Sequence, residues 1–308
     1  MEKILTDKFS KDAAFGKNYA LYLGDSAEVL KGIPDNSIDY ILYSVPFLSL
    51  YTYGNSDRDL GNCRSDDEFY IQFGFITDEL LRILKPGRLM SIHCMDLPTS
   101  KEKDGYIGIK NFRGDLITHC TRKNPGGWEK NFIFHSEVCI WRDPVQAMQR
   151  TKALGLLHKQ LKKDSCMSRQ GIPDFVITFR KPGDNPDPVT HTNESFPVRK
   201  WQRYASPVWT DIDYSDTLNY KAAREGKDER HICPLALPII QRCYELWTSE
   251  NDTILTPFLG IGSEAYMAVK MGRKAVGIEL KESYFRQAVA NVKSVAEDTQ
   301  GNLFDMEE

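Results

Sequence analysis

The chain has 308 residues, 41% apolar and 27% charged, with a formal charge of -3, an ordinary soluble composition long enough for one large domain and a smaller one. No run approaches the roughly 18 consecutive apolar residues of a membrane span, and the stretch up to Asn18 alternates charge with isolated apolar residues. A membrane anchor and a secretory leader are therefore not expected, and the cytoplasm is the default location. Seven cysteines (Cys63, Cys94, Cys120, Cys139, Cys166, Cys233 and Cys243) are scattered without a C-x-x-C pair, which reads as reduced core residues rather than metal ligands or disulfides.

The first third alternates strand and helix. "YALYLGD" reads as a short strand ending at Gly24-Asp25. "SAEVLKGIP" reads as a helix with Ser26 as N-cap, and "SIDYILYS" as an apolar strand. That strand runs into Ser44-Val45-Pro46-Phe47, a small hydroxyl, a prolyl bond and an aromatic ring at a strand end. After a loop to Arg64, "SDDEFYIQFGFITDELLRILKPG" has helical spacing behind an acidic cap and stops at Pro86-Gly87; "RLMSIHC" and "FIFHSEVCIWRDP" supply further strands.

From Val145 to Lys227 the pattern loosens, with six prolines and no sustained period. The segment from Arg150 to Arg203 carries eleven Lys/Arg against five Asp/Glu, a basic island that suits a phosphate-bearing partner, with a solvated linker as the alternative. This middle part is expected outside the sheet, as a subdomain over its edge. Regular alternation returns with "PLALPIIQRCYELW" as helix, "DTILTPF" as buried strand, "SEAYMAVKMG" as helix, "RKAVGIEL" as strand and a closing helix from Lys281. Strands alternating with helices at both ends imply one doubly wound, mostly parallel α/β sheet to which both ends contribute.

The sharper chemistry lies near the C-terminus. A strand ending at Thr256 enters a turn with Phe258, Gly260 and Gly262, a helix starts near Ser263, and Glu279 ends the next strand. Small residues let a ligand approach the backbone, and an acid about twenty residues on can accept both hydroxyl hydrogens of a ribose. A dinucleotide would favour a third glycine at the helix start, where Ser263-Glu264-Ala265 stands instead, and Glu264 is expected to repel phosphate there. A nucleoside without phosphate, S-adenosylmethionine, fits better than the cofactor of a dehydrogenase.

Together these motifs resemble the DNA amino-methyltransferases, which methylate adenine N6 or cytosine N4. That family pairs a strand-end (D/N/S)-P-P-(Y/F/W) tetrapeptide with an F-x-G-x-G cofactor turn. In its permuted β-type members the catalytic motif comes first and the target-recognition region lies between the two. The resemblance covers nearly the whole chain and implies a Rossmann-like methyltransferase fold: a catalytic half at 1–144, a target-recognition and DNA-binding region at 145–228, and a cofactor-binding half at 229–308. It implies Ser44, Val45, Pro46 and Phe47 as the catalytic tetrapeptide. S-adenosylmethionine is expected on Asp25, His231, Pro234, Thr256, Phe258, Gly260, Gly262, Ser263 and Glu279. The "SLYTYGNSDRDLGN" continuation is similar to orphan methyltransferases carried by phages.

In the chemistry so implied, Ser44 Oγ and the Val45 carbonyl accept the two hydrogens of an amine whose lone pair is otherwise delocalised into the ring, and Phe47 stacks on a base that has left the helix. Serine in place of aspartate gives a dipole rather than a charge and leans toward cytosine. Valine in place of proline loses a ring constraint of about 0.4 to 1 kcal/mol, while Pro46 still steers it into extended backbone. Thr256 in place of the usual aspartate keeps an acceptor for the methionine ammonium but no charge, so weaker cofactor binding is expected.

Double-stranded DNA is the expected partner. Lys159, Lys162, Lys163, Arg169, Arg199, Lys200 and Arg203 are candidate phosphate contacts, Tyr51 and Tyr53 candidate stacking residues, and Arg169, Gln170 or Gln202 candidate base readers. A homodimer, a partner nuclease, a catalytically weak DNA-binding relative, and a methyltransferase acting on RNA or a protein amide stay open on the sequence alone.

Overall fold

A computed structural model describes residues 9–48, 56, 58–122, 127, 130–151, 158–167, 169–219 and 234–304. In chain order its elements are β1 (Asp12–Phe15), β2 (Tyr19–Leu23), α1 (Ser26–Val29), β3 (Ile38–Ser44), α2 (Asp66–Ile83), β4 (Leu84–Met95), β5 (Leu97–Pro98) and α3 (Lys101–Asp104). There follow β6 (Ile109–Lys110), α4 (Phe112–Arg122), β7 (Ile133–Ile140), α5 (Pro144–Thr151), α6 (His158–Leu161), β8 (Asp174–Arg180), α7 (Val198–Tyr204) and β9 (Val208–Trp209). The chain continues through α8 (Leu237–Trp247), β10 (Thr253–Thr256), α9 (Ser263–Lys270), β11 (Lys274–Glu279) and α10 (Glu282–Phe304).

Among the described residues, nine strands form one sheet in the order β1-β2-β11-β10-β3-β4-β8-β7-β9. The run β2-β11-β10-β3-β4 is parallel, whereas β1 and β8 pair antiparallel with their neighbours. Both ends of the chain thus share one sheet, as expected, and β10 is the middle strand of its parallel run. From there the chain winds one way through α9 to β11, and β3 winds the other way through α2 to β4. The crevice where winding reverses lies at the carboxyl ends of β10 and β3.

Each face of the sheet buries its own core. Phe69, Phe73, Leu80 and Ile83 of α2 with Phe112 and Leu116 of α4 pack on one face, and Ile239, Ile240, Ala268, Ala288 and Val292 of α8, α9 and α10 on the other. Each large apolar side chain so buried is worth about 1.5 to 3 kcal/mol. Helix α2 starts where the sequence places it. Ser65 accepts the Glu68 N–H at 3.1 Å, and the Glu68 carboxylate reaches back to the Arg64 N–H at 2.7 Å, a variant of the reciprocal capping box.

Three expectations are corrected. The residue capping α1 is Asp25, whose Oδ1 accepts the Ala27 N–H at 3.0 Å, and the helix lasts four residues before a 3-10 turn at Leu30–Gly32. The middle segment does not lie wholly outside the sheet, because β8 is inserted between β4 and β7 and β9 extends the edge. "DFVITFR" alternates well enough for a strand, but its partners lie far away in sequence and prolines surround it. Of the described cysteines, Cys94, Cys120 and Cys243 are buried while Cys166 is exposed, so the core reading does not extend to Cys166.

Candidate active site

The tetrapeptide begins on the last residue of β3. Ser44 is the register partner of His93 on β4, so the two side chains leave the same face of the sheet. Ser44 Oγ lies 3.0 Å from His93 Nδ1. The other ring nitrogen, Nε2, lies 3.0 Å from Asp174 Oδ2, and that oxygen also accepts Arg142 Nε at 3.1 Å and Nη2 at 2.7 Å. The Arg142 guanidinium in turn covers the ring of Tyr214 at 3.4 Å from its centroid. His93 is 3% exposed and Asp174 is fully buried.

Val45 is buried, and its N–H donates to the His93 carbonyl at 3.2 Å. A proline could not make that bond, so the departure from the family pattern does more than release a ring constraint. Phe47 is buried and its ring stands nearly perpendicular to the His93 ring, with centroids 6.5 Å apart. The next residue, Leu48, sits at φ 48°, the left-handed region that costs a branched side chain about 1 to 2 kcal/mol. Its N–H closes a tight turn on the Pro46 carbonyl at 3.0 Å. Tyr51, Tyr53 and His231 fall outside the described residues.

The glycine turn stands beside this loop, since β10 pairs with β3. Gly260 at φ 54° faces open space, whereas a Cβ on Gly262, at φ 89°, would meet Ala288 Cα at 3.1 Å. Glycine at 262 is therefore needed to bring the turn against α10, and Asn291 of α10 holds it by donating to the Ile261 carbonyl at 2.8 Å. Phe258 packs its ring on Tyr43, 5.5 Å between centroids. Glu279 Oε2 accepts the Gly260 N–H at 2.7 Å and Oε1 accepts the Lys281 N–H at 2.9 Å. Desolvation pushes its carboxyl up to about 7, with Asp59 adding to the rise against the backbone bonds. Asp25 has one oxygen in the α1 cap and the other 3.3 Å from Arg58, and the N–H of neighbouring Gly24 donates to the Glu279 carbonyl at 2.8 Å. Pro234 precedes α8 and is partly buried.

These residues fit the cofactor expected of them. Thr256 Oγ1 and Ser263 Oγ are buried and without a hydrogen-bond partner among the described residues, so the two ends of the turn carry polar atoms that lack a protein neighbour. The acid at the end of β11 lies beside the turn, with each carboxylate oxygen accepting one backbone N–H and keeping a further lone pair. Glu264 differs from expectation. It is buried rather than facing a ligand, and desolvation pushes it up to about 8, so near neutral pH it presents little charge with which to repel phosphate. The case against a dinucleotide then rests on the missing third glycine.

The basic candidates separate into two groups. Lys159, Lys162, Lys163 and Arg199 are exposed. Lys200 is paired with Glu245 at 3.0 Å, Arg203 pairs with Asp211, and Arg169 is partly buried. Gln170 and Gln202 are exposed.

Sequence reasoning missed His93, Asp174, Arg142 and Asp59. A histidine near the carboxyl end of the strand "RLMSIHC" was the one usable signal, because such ends line the crevice of a parallel sheet.

The profile of the DNA methylase family N6_N4_Mtase matches residues 38–290. The type II methyltransferase M.ScaI of Streptomyces caespitosus is 35% identical over 300 residues, covering 92% of this chain and 86% of that protein. M.BamHI of Bacillus amyloliquefaciens is 24% identical over 263 residues, 84% of this chain but 54% of its own length. Among solved structures, PvuII DNA methyltransferase (cytosine-N4-specific) superposes with a TM-score of 0.64 at 15% identity, covering 94% and 95% of the two chains. TTHA0409 of Thermus thermophilus, solved with S-adenosyl-L-methionine, gives 0.63 at 20% identity, covering 90% and 93%. At such identities these two likenesses concern the fold, a Rossmann-like methyltransferase sheet. Taken with the match across residues 38–290, they make the assignment plain: this chain belongs to the DNA methylase family.

Proposed function

We propose that the chain transfers the methyl group of S-adenosylmethionine to the exocyclic amine of a base in double-stranded DNA, cytosine N4 or adenine N6, after the base has left the helix. The observation that carries this reading is the adjacency of two strand ends. β3 presents Ser44 and β10 leads into the glycine turn, as neighbouring strands paired in parallel. A nucleoside cofactor held at the turn and an amine held at Ser44 then meet across the crevice.

Thr256, Ser263 and the turn from Phe258 to Gly262 would hold the methionine end, Glu279 the ribose, and Gly24-Asp25 the adenine edge, with His231 and Pro234 covering. The cofactor supplies an electrophilic methyl. The protein's part is to localise the amine's lone pair by accepting its two hydrogens on Ser44 Oγ and the Val45 carbonyl, to seat the base against Phe47, and to exclude water. A neutral serine leans the reading toward cytosine N4. The order of the motifs, catalytic first and cofactor last, supports the permuted β-type arrangement, with residues 145–228 as the target-recognition region and its exposed lysines on phosphates.

Incubation with methyl-labelled S-adenosylmethionine and DNA of mixed sequence, followed by mass identification of the nucleosides, tests this directly. N4-methylcytosine or N6-methyladenine is the expected product. Ser44→Ala should reduce transfer at least a hundredfold while cofactor affinity stays within about twofold. Label in RNA or protein but not in DNA defeats the reading.

A further inference from the structure

The serine of the tetrapeptide does not stand alone. β3, β4 and β8 are consecutive strands, and pleating places Ser44, His93 and Asp174 on one face: Ser44 pairs with His93, His93 with Val176, and Asp174 lies two residues from Val176. Arg142, two residues beyond the Ile140 partner of Asp174, completes the row. Ser44 is partly exposed to the crevice, whereas His93 and Asp174 are buried behind it.

The direction of the hydrogen bonds follows from the carboxylate. Asp174 Oδ2 takes two hydrogens from Arg142, so it faces His93 Nε2 as an acceptor. His93 must then carry its proton on Nε2, because the other tautomer would set two lone pairs against each other 3.0 Å apart. Nδ1 is left with a lone pair facing Ser44 Oγ, so the serine hydroxyl donates to it. A hydroxyl whose hydrogen is engaged behind offers only lone pairs in front.

We propose that His93, oriented by Asp174 and Arg142, is a positioning residue that makes Ser44 an obligatory acceptor for the target amine and takes up the proton released by methyl transfer. This rests on the methyltransferase reading. In the step, the amine lone pair forms the nitrogen–methyl bond while the carbon–sulfur bond breaks and its electrons stay on sulfur. The cationic amine passes one proton to Ser44 Oγ as the serine hydroxyl's own proton moves to His93 Nδ1. The outcome is a neutral methylamine, a thioether and an imidazolium whose Nε2–H remains on the Asp174 carboxylate. The proton returns to solvent when product leaves. The serine takes no part as a nucleophile. A neutral hydroxyl so backed recovers part of what an aspartate in its place would supply as charge.

Among the described residues, the charged or titratable groups on that face are Asp174, Arg142, Arg180 and Tyr40, whose hydroxyl donates to Ser91 Oγ at 2.6 Å, and the Tyr214 ring packs on Arg142. On the opposite face of the same strands are Cys94, Cys139 and Glu137, the last paired with Arg113, and Asp96 follows β4. Glu279 titrates near 7 in the cofactor site, so rates are to be measured with cofactor saturating.

Two measurements test the proposal. In protein labelled with 15N-histidine and loaded with S-adenosylmethionine, the His93 signal among six histidines is assigned by its loss in His93→Gln. It should show a protonated Nε2 and an unprotonated, hydrogen-bonded Nδ1, and Ser44→Ala should shift the latter. A proton on Nδ1 in the neutral ring overturns the assignment. In single-turnover methylation of DNA, the wild type should lose rate on the acid side as His93 is protonated. His93→Gln should be slower by a hundredfold or more with that limb flattened. His93→Asn, whose amide oxygen can accept the serine hydrogen without taking a proton, should recover part of the rate and none of the limb. Variants with unimpaired cofactor affinity that keep the wild-type rate, or the same acid limb, overturn the relay. A wild type that methylates no DNA sinks the functional reading instead, and the ring tautomer alone then decides the role of His93.

Discussion

In the proposed cofactor site, Glu279 should link S-adenosylmethionine binding to pH with a sign and size set by its surroundings. Its carboxyl is pushed up to about 7 by desolvation, from a reference of 4.5. A carboxyl raised on folding favours the native state below its unfolded value, and that advantage is lost as pH rises through the folded value. The free protein therefore loses stability between about 4.5 and 7. Ribose hydroxyls donating to the carboxylate would hold it ionised, so binding at pH 6 must expel a proton that is mostly absent at pH 8. With a midpoint near 7, the ionised fraction falls about tenfold over that interval, so the Kd for S-adenosylmethionine should rise about tenfold from pH 8 to pH 6, roughly 1.4 kcal/mol. Isothermal titration calorimetry in buffers of different ionisation enthalpy reads both affinity and proton release. Glu279→Gln should bind more weakly and lose the slope. Asp59→Asn, which removes a neighbouring charge that raises Glu279, should move the midpoint to lower pH. A Kd flat from pH 6 to pH 8 in the wild type, or a slope that survives in Glu279→Gln, would refute the assignment of Glu279 to the ribose.

Glu264, buried in the first turn of α9 and raised from 4.5 to about 8, must take up a proton to fold at pH 7; Glu264→Gln should stabilise by roughly 3 kcal/mol at pH 7 and hardly at pH 4.5, read by urea unfolding. A destabilised variant at pH 7 would mean that the acid makes a bond the amide cannot replace. Val45→Pro removes the N–H that donates to the His93 carbonyl and should cost about 1 kcal/mol in the same assay; an unchanged midpoint would show that bond to be immaterial. For DNA affinity against salt, alanine at Lys159, Lys162 or Lys163 should each reduce the log–log slope by about 1. Alanine at Lys200 or Arg203 should reduce it less, since Glu245 and Asp211 already compensate them; equal slopes throughout would show that those ion pairs open on DNA.

Legibility in the sequence followed locality. The turn from Thr256 to Ser263 could be read because its glycines answer a local demand, positive φ and a close approach to Ala288, and because the acid that closes it ends the very next strand. Helix α2 could be read because Ser65 and Glu68 mark its start within four residues. The insertion of β8 could not, since its pairing with β4 bridges residues 79 (Met95 to Asp174) to 91 (Leu89 to Arg180) apart and nothing beside "DFVITFR" names that partner. The left-handed Leu48 carries no glycine or asparagine to announce it. Asp174 was counted as one of five acids in a basic island, and only the register of three strands turns it into the partner of His93.

That register also changes what the two departures in the tetrapeptide mean. Taken singly, Ser44 is a weakened acceptor and Val45 a loosened constraint. In the fold both act on one residue: the Ser44 hydroxyl engages the His93 ring and the Val45 N–H engages the His93 carbonyl. An aspartate at 44 would need no proton acceptor behind it, and a proline at 45 would leave the His93 carbonyl without this donor. The pair of substitutions is therefore coherent with a histidine at 93 and an acid at 174. Combining Ser44→Asp with Val45→Pro should make the site less dependent on His93 than either change alone. The coupling between positions 44 and 93, measured as a double-mutant cycle on single-turnover methylation, separates this from two independent losses. Additive effects within about 0.5 kcal/mol would mean that the serine works without its histidine.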